Sequence, residues 1–329
     1  MREVAERAGV AMSSVSRVLS DHPDVSPVMR ERVMTAVADL GYKPDLLAQS
    51  LRRRETRSVG FVVADISNQL FAEIAKGAEE ALRAEGYSML LTNSEGDPEL
   101  DAAHVRLFEQ RRTDGLILSL AREDHQPTIE AMEAIDGPIV LIDRDPQVSF
   151  PVSRVLSDHA TGMRSAVDHL LELGHRHIGL ILGQPIRPTN ERRRAFEEAH
   201  ADRGLEPGAI VAGRFSVDFG MEATKELLAA SERPTAIIAG GNQLMIGALN
   251  VISASGLEIG RDLSFLGCDD IPITSLYRPP IAVVRRDNDA IGRAAAELLL
   301  RRLKDGEGDR EVVLPTEFVP RPSCVPPGS

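Results

Sequence analysis

Seven polar side chains follow short apolar segments of the 329-residue sequence, and their types could bind a small polar molecule. They are Asp65, Asn93, Asp143, Arg144, Asp158, Asn242 and Asp269. Ligands of open α/β sheets bind outside the carboxyl ends of the strands, so residues that end predicted strands are candidate ligand contacts. Asp158 has a second interpretation, because an aspartate that precedes a helix commonly caps it.

The sequence lacks the motifs of the common nucleotide-binding and hydrolytic enzymes. GLILG at 179–183 and GGN at 240–242 contain glycine, but neither forms GxGxxG or a phosphate-binding loop, and no GxSxG elbow occurs. Asp269 and Asp270 would point to opposite sides of an extended segment, which makes them a poor acid–base pair. Cys268 is more typical of a small core residue than of a nucleophile. The sequence therefore predicts a protein that is not an enzyme and that needs no cofactor.

A histidine pair is the best candidate for metal binding, and it is a weak one. His175 and His177 are two residues apart in the segment GHRHIG. Zinc sites need three or four ligands, and this segment precedes a predicted strand in the manner of a structural turn. We therefore expect no metal site.

The charges are unevenly distributed along the chain. The whole sequence has a net charge of −12, yet residues 1–57 contain ten basic and eight acidic side chains. Four of those basic residues lie within 52–57, whereas the remainder of the chain is strongly acidic. This asymmetry favours a small nucleic-acid-binding head on a body that repels polyanions.

The length, the cysteine content and the apolar segments limit the class of protein. About 330 residues suffice for roughly two domains of ordinary size. Two cysteines exclude a disulfide framework, and no apolar run approaches the ~18 residues of a membrane span. The segment MREVAERAGV has no apolar signal core, so we expect a cytoplasmic protein without membrane contact.

The first 41 residues predict a helix-turn-helix. Apolar residues recur with helical spacing over 2–8 and 11–19, and Gly9 between them suits a tight corner. Ser26 and Pro27 then open a third helix that Gly41 closes. In a helix-turn-helix the second helix lies in the major groove, where an arginine matches the edge of guanine. Its predicted DNA-facing residues are Met12, Ser13, Ser14, Ser16 and Arg17. The alternative interpretation is an ordinary helical cap on the next domain.

Residues 44–54, PDLLAQSLRRR, predict a short helix of two to three turns. Leu47, Ala48 and Leu51 would share one face of it. A helix of this length is marginal in water unless something packs on it. The alternative is a plain linker with a solvated basic run.

From Ser58 onward, apolar segments of strand length alternate with helical segments in two series. SVGFVVAD, YSMLLTN, DGLILSL and PIVLID belong to the first series; RVLSD, HIGLILG, AIVAGRF, TAIIAGG and LSFLGCD belong to the second, and a final strand region is expected near Phe318. This alternation predicts parallel sheets that are buried on both faces. Two such series predict an α/β body of two lobes with a cleft between them.

The sequence resembles the LacI/GalR family of bacterial transcriptional repressors over nearly its whole length. The resemblance lies in VAERAGVAMSSVSRVLSD, VSPVMRERVMTAVADLGYKP and LLAQSLRRRETRSVGFVVADISNQLFAEIAKGAEEAL, and continues through PIVLIDR, RRRAFEEA, PTAIIAGGN and GALNVISASGLEIGRDLSFLGCDD. It implies a helix-turn-helix head at 1–43, a hinge helix and linker at 44–57, and an effector-binding and dimerisation domain at 58–329. The implied fold of that domain is the type I periplasmic-binding-protein fold. Its first lobe would comprise about 58–158 and 287–313, and its second about 159–286 and 314–329.

The resemblance also implies functional residues. Effector-binding positions of the family match Asn68, Phe71, Asp143, Arg192, Phe215, Asn242 and Asp269. Asn242 departs from the pattern, since most members have Asp there. In the hinge, Leu51 would wedge into the minor groove at the operator centre, with Arg52 and Arg53 on the DNA backbone.

The resemblance implies a regulator, most simply a repressor, that binds a pseudo-palindromic double-stranded operator as a homodimer. The segment VPRPSCVPPGS after Phe318 is rich in proline and predicts no tetramerising helix. An arginine opposite a carboxylate, with two phenylalanines, favours a sugar-like effector. A purine, an organic acid or control by a protein partner remain alternatives.

Overall fold

The computed structural model describes residues 1–19, 22–42, 55–306 and 310–328. The chain divides into two compact units, Met1–Arg57 and Ser58–Ser329. The predicted hinge helix, with Leu51, Arg52 and Arg53, lies outside the described residues.

The first unit contains the three helices that the sequence predicts. They are α1 (Arg2–Ala8), α2 (Met12–Leu19) and α3 (Pro27–Asp39). The apolar stripes of the three helices pack together, and their buried residues are Val4, Ala5, Ala8, Val15, Val18, Val33 and Ala36. Ser26 caps α3 by accepting a hydrogen bond from the Met29 amide at 3.3 Å. Arg32 Nη2 donates to the Ala8 carbonyl oxygen at 2.6 Å and so ties α3 to the end of α1.

The second unit alternates strands and helices throughout. Its first part comprises β1 (Ser58–Val63), α4 (Gln69–Ala84), β2 (Ser88–Asn93), α5 (Pro98–Gln110), β3 (Gly115–Leu118), α6 (Gln126–Glu133), β4 (Ile139–Ile142) and β5 (Ser153–Ser157). Its second part comprises α7 (His159–Glu172), β6 (Ile178–Leu182), α8 (Arg187–Ala201), β7 (Ile210–Ala212), α9 (Val217–Ala229), β8 (Ala236–Ala239), α10 (Asn242–Ser255), β9 (Ser264–Cys268), α11 (Pro272–Leu276) and β10 (Ala282–Arg285). It ends with α12 (Asn288–Asp305), β11 (Glu311–Leu314) and β12 (Glu317–Val319).

The strands form two six-stranded sheets, and each sheet is the centre of one lobe. The first has the order β11-β5-β4-β3-β1-β2 and is parallel throughout. The second has the order β12-β10-β9-β8-β6-β7 and is parallel except for the pair β10–β12. The predicted two-lobed α/β architecture with parallel sheets is confirmed. The assignment of RVLSD to the second series is wrong, because this segment forms β5 of the first sheet.

Each sheet carries a separate apolar core on each face, as the continuous apolar strands require. In β1, Phe61 and Val63 pack on one face of the sheet while Val62 packs on the other. The strands are therefore covered by helices on both sides, which explains why they do not show the alternation of a half-exposed strand.

The chain passes between the lobes at three places. β5 ends the run of strands in the first sheet, and the following helix, α7, packs with α8 of the second lobe. After β10 the chain returns, because α12 packs on α4 of the first lobe. It then passes from β11 in the first sheet to β12 in the second. The sequence patterns did not identify β10 and β11, which have four residues each.

Helices α4 and α12 approach each other closely through glycine. A Cβ atom added to Gly292 would lie 1.9 Å from the carbonyl oxygen of Ile74, and one added to Gly77 would lie 2.2 Å from that of Asp289. Any larger residue at either position would force the helices apart.

Among the described residues, no helix is long and apolar enough to cross a membrane.

Candidate functional site

A cavity of about 680 Å³ lies between the two lobes. Its volume is within the usual range of small-molecule sites, roughly 300–1,000 Å³. All seven residues proposed for effector binding line it: Asn68, Phe71, Asp143, Arg192, Phe215, Asn242 and Asp269. Asp65 and Arg144 line it as well. The structure thus brings these strand-end and helix-start residues to one cleft.

Two hydrogen bonds join the lobes at one edge of the cleft. Asn242 Nδ2, at the start of α10, donates to Asn68 Oδ1, at the N-cap of α4, over 2.6 Å. Beside this pair, Gln243 Nε2 donates to Asp65 Oδ2 at 2.7 Å. Burial raises the pKa of Asp65, but hydrogen bonds from Ser67 and Gln243 outweigh it, and the net pKa is lowered. This edge of the cleft is therefore held closed in the structure.

Arg286 joins the lobes on the cleft floor, and no motif in the sequence marks it. Its Nε donates to Asp269 Oδ1 at 3.1 Å, and its Nη1 donates to Asp143 Oδ2. Asp269 follows β9 of the second lobe, whereas Asp143 follows β4 of the first. Both carboxylates are nearly inaccessible to solvent, with side-chain exposures of 5% and 4%. One guanidinium therefore forms an ion pair with a buried carboxylate from each lobe.

Several protein donors surround the carboxylate of Asp143. Ser157 donates to it twice, from the amide nitrogen to Oδ1 at 2.6 Å and from Oγ to Oδ2 at 3.1 Å. Burial alone raises its pKa, but the interaction with His159 and the charge of Arg286 outweigh that effect and hold the pKa well below its usual value. The side chain is therefore an ionised carboxylate whose oxygens already have donors.

His159 connects Asp143 to Arg192, and it was also not identified from the sequence. Arg192 Nη2 lies 3.2 Å from His159 Nδ1, and His159 Nε2 lies 3.3 Å from Asp143 Oδ2. Because a guanidinium only donates, Nδ1 must accept, and the ring proton is on Nε2, facing Asp143. Burial is the main cause that lowers the pKa of His159, to about 4, and the neighbouring Arg192 charge lowers it further. His159 is therefore neutral at pH 7.

Two buried arginines line the cleft and are bonded to carbonyl oxygens. Arg192 Nη1 donates to the Gly240 carbonyl oxygen at 2.7 Å. Arg144 donates to the carbonyl oxygens of Leu120 and Asp143. Both side chains are 5% exposed. Burial lowers the pKa of Arg144, although the group remains a cation.

Two phenylalanine rings supply the apolar part of the wall. The Phe215 ring lies against Gly183 and Gly241, where an added Cβ atom would be 2.1 and 2.9 Å from it. The Phe215 amide donates to Gln184 Oε1 at 3.0 Å. Phe71, on α4, is partly buried and packs against the apolar core between α4 and the first sheet. One glycine of GLILG, Gly183, and one of GGN, Gly241, therefore make room for an aromatic ring.

The remaining polar residues singled out from the sequence have structural partners. Asp158 caps α7 by accepting from the Thr161 amide at 3.0 Å, and Asn93 accepts from the Ile66 amide at 3.0 Å. Asp270 pairs with Arg321 at 2.6 Å. Neither Asp158 nor Asn93 lines the cavity.

The residues considered for metal or nucleophilic chemistry also have structural surroundings. The His175 ring is buried between Thr235 and Ser264, with contacts of 2.7 and 3.1 Å. Cys268 is a buried thiol whose pKa is raised by burial. Across the described ranges, no group of three His, Cys, Asp or Glu residues could hold a metal ion.

The second helix of the head presents most of its predicted DNA-facing residues outward. Met12, Ser13 and Arg17 are exposed, whereas Ser14 and Ser16 are partly buried. Met12 is 56% exposed. The inward face of the same helix is apolar, with Val15 and Val18 fully or nearly fully buried.

Comparison with known proteins decides the family. Residues 1–45 match the family of bacterial regulatory proteins of the lacI type, and residues 167–324 match the periplasmic binding protein-like domain. The HTH-type transcriptional repressor PurR of Aliivibrio fischeri is 32% identical over 331 residues, which cover 99% of this chain and 98% of that protein. The chain belongs to the LacI family.

Other LacI-family members match over the same length. The ribose operon repressor of Haemophilus influenzae is 32% identical over 99% of this chain and 96% of its own. The crystal structure of the Lac repressor dimer bound to operator and the anti-inducer ONPF is 28% identical, covers 98% of both chains and superposes with a TM-score of 0.86. The head and both lobes of this LacI-family chain therefore have counterparts in a solved repressor.

Proposed function

We propose that this chain is a repressor that binds a pseudo-palindromic DNA operator as a homodimer and is controlled by a small, sugar-like molecule in the cleft. One observation carries the proposal: all seven positions that match effector-binding positions of the family line a single cavity between the lobes. The protein acts through binding and not through catalysis. Its DNA partner implies a cytoplasmic site of action.

The DNA contacts are assigned to the head and the hinge. The exposed face of α2 reads bases, with Arg17 as the main base contact and Met12, Ser13, Ser14 and Ser16 around it. In the hinge, Leu51 enters the minor groove while Arg52 and Arg53 bind phosphates. The working limits are 1–43 for the head, 44–57 for the hinge and 58–329 for the effector domain.

The cleft controls the head through the arrangement of the lobes. The bridges Asn68–Asn242 and Asp143–Arg286–Asp269 each join one lobe to the other. A ligand that contacts these residues binds one lobe arrangement better than another, and it shifts the population by that difference in affinity. Because two hinges must lie close together on one operator, a change in lobe arrangement changes DNA affinity without any contact between ligand and DNA.

The relatives favour a sugar as ligand. The name of the Haemophilus influenzae relative refers to ribose, and the solved Lac repressor dimer is bound to the anti-inducer ONPF. A hydroxylated ligand suits the amide, carboxylate and guanidinium groups of this cleft, and the Phe71 and Phe215 rings suit its carbon face.

DNA selection followed by ligand addition tests the proposal. Full-length protein is incubated with a random DNA library, and the selected sequence is measured by fluorescence anisotropy with and without candidate sugars, nucleobases and organic acids. We expect a pseudo-palindromic selected site, and a change in affinity of at least about fivefold with one ligand class, which is the lower end of common allosteric coupling. Failure to select a specific sequence would overturn DNA recognition, whereas selection without any ligand response would overturn control by the cleft.

A further inference from the structure

The buried part of the cleft has more positive than negative side chains. Its cations are Arg144, Arg192 and Arg286, and its anions are Asp143 and Asp269. All five have side chains or whole residues that are no more than 10% exposed. Solvent therefore screens this imbalance poorly.

The two buried carboxylates are already occupied by protein donors. Arg286 pairs with both of them, Arg187 Nη1 lies 3.9 Å from Asp143 Oδ1, and Ser157 and His159 also contact Asp143. Neither acid pairs with Arg192 or Arg144. The family resemblance assigns Asp269 to ligand binding, whereas in the structure Asp269 forms an ion pair with Arg286.

Arg192 and Arg144 have no carboxylate at ion-pair distance within the part of the chain that the structure describes. Each guanidinium makes two contacts: Arg192 with a carbonyl oxygen and His159 Nδ1, and Arg144 with two carbonyl oxygens. A guanidinium has five N–H donors, so each arginine retains three for a further acceptor. A buried cation without a counter-charge is unfavourable unless a partner supplies one.

The charges of Glu123, Asp143 and Asp101 oppose the effect of burial on the pKa of Arg144, but none of these acids forms an ion pair with it. Glu123 accepts from the Arg187 and Asp145 amides at 3.0 and 3.3 Å. Asp101 accepts from the Ala121 amide at 2.7 Å, and burial raises its pKa, which favours its neutral form. Both lie beyond ion-pair distance of the guanidinium.

The exposed residues at the rim of the cavity favour neither an anionic nor a cationic ligand. Outside the floor, three acids and two arginines line the cavity: Glu95, Asp218, Arg122 and Arg214 are exposed, and Asp65 is partly buried and bonded to Gln243. Arg122 is in turn paired with Asp124 at 2.8 Å. Exposed charges of this kind contribute little to affinity. The excess of positive charge is thus confined to the floor.

We propose that the effector carries an anionic group, a carboxylate or a phosphate monoester on a hydroxylated carbon skeleton, and that Arg192 and Arg144 bind this group. The proposal rests on the proposed function, since it concerns the ligand of the same cleft. It narrows that ligand from any sugar-like molecule to a sugar acid or a sugar phosphate. Arginine is the side chain best suited to planar, bidentate binding of either anion.

Sets of molecules that share a skeleton and differ in charge test the proposal. The first set is glucose, gluconate, glucuronate and glucose 6-phosphate; the second is ribose, ribonate and ribose 5-phosphate. Thermal shift and isothermal titration calorimetry on the full chain measure binding of each probe. We expect a charged member to bind about 10- to 100-fold more tightly than its neutral partner, as hydrogen bonds to charged groups allow. Comparison of the sugar acids with the sugar phosphates shows which of the two anionic groups the cleft binds.

Substitution of the two arginines tests the assignment. Arg192→Gln and Arg144→Gln should each weaken binding of the charged probe more than binding of its neutral partner, so that the ratio of the two affinities falls towards one. Arg193→Gln, at the neighbouring and more exposed position on α8, is the matched control and should keep the preference. Circular dichroism and the melting temperature report whether each variant folds, and Arg192→Lys retains the charge if Arg192→Gln does not fold.

The outcome is decided by the wild-type protein even if every variant fails. Binding of a neutral sugar as tight as that of its charged partners, or no binding by any charged probe, would overturn the inference. A neutral sugar that alters operator affinity would overturn it while leaving the proposed function intact. Loss of operator recognition altogether would overturn the proposed function and not the charge of the ligand.

Discussion

Asn242 Nδ2 donates to Asn68 Oδ1 over 2.6 Å and thereby connects the first turn of α10 in one lobe to the N-cap of α4 in the other. The backbone fixes both amides, because Asn68 Oδ1 also accepts from the Leu70 amide at 3.1 Å and Asn242 Oδ1 accepts from the Gln243 amide at 2.8 Å. The amide pair is therefore oriented before any ligand binds, and it favours the closed cleft.

Removal of this bridge should loosen the cleft. Asn242→Ala deletes the donor but keeps the Asn68 cap, and the net loss from one hydrogen bond is about 1 kcal/mol. We expect the affinity for the cleft ligand to fall about fivefold, as measured by calorimetry. Asn250→Ala, at an exposed position of the same helix, is the control. An equal loss in Asn250→Ala would show that the effect belongs to α10 and not to the bridge.

Two neighbouring arginines should differ strongly in their effect on stability. Arg286→Ala leaves two buried carboxylates without their cation, and breaking a buried pair in this way costs about 3–5 kcal/mol. Arg285→Ala removes a pair with Glu317 in which both side chains are at least half exposed, worth about 0–1 kcal/mol. Urea unfolding of the two variants measures the difference. Similar midpoints for both would contradict the role of Arg286 on the cleft floor.

Stability should fall as pH decreases from 6.5 towards 4. His159 has a pKa of about 4 in the folded protein, whereas the ordinary value is 6.5. Within that range the unfolded chain binds a proton at this ring that the folded protein does not, so protonation favours unfolding. The loss is on the order of 3 kcal/mol at the low end. Asp143 adds a loss in the same direction only below its ordinary value of 3.8.

Urea unfolding at pH 7.5, 6.5, 5.5 and 4.5 measures this dependence. His159→Gln keeps an acceptor for Arg192 and a donor for Asp143, and it should flatten the decline. His177→Gln, at an exposed histidine, should leave the slope as in the wild type. A His159→Gln variant with the wild-type slope would assign the pH dependence to other groups.

Base recognition should depend on Arg17. Arg17→Ala should weaken binding to the selected operator by about 1–3 kcal/mol and relax the preference at one G·C pair. Anisotropy titrations with the operator and with a variant that replaces that pair measure both effects. Equal weakening on every DNA sequence would mean that Arg17 binds phosphate instead of a base.

The sequence was sufficient for the elements whose pattern is local. Continuous apolar runs such as SVGFVV predict buried parallel strands, and the helix spacing of the head predicts its three helices. The strand ends then predict the cleft, since parallel strands of a lobe end on the same edge. β10 and β11 were not predicted from the sequence, because each has only four residues, and a short segment beside charged residues cannot be distinguished from a loop.

Arg286 and His159 were not predicted as site residues for a different reason. Arg286 lies in the segment VRRDND, where charged neighbours are typical of a solvated surface. Its partners are 17 and 143 residues away in the chain, and only the crossing of the chain between the lobes brings them together. His159 directly follows the capping residue Asp158, and its burial depends on α8 packing over it. Long-range contacts of this kind have no local signature.

The late position of α12 and β11 affects how the protein is synthesised. β5 is complete at residue 157, but α12, which covers α4, and the edge strand β11 lie between 288 and 314. At about 5–20 residues per second, a ribosome needs roughly 10–30 s to add them. Throughout that interval the nascent first lobe has an open strand edge at β5 and an uncovered apolar face on α4. Both features promote aggregation of partly folded chains. Protection by chaperones during translation should therefore matter more for the first lobe than for the second.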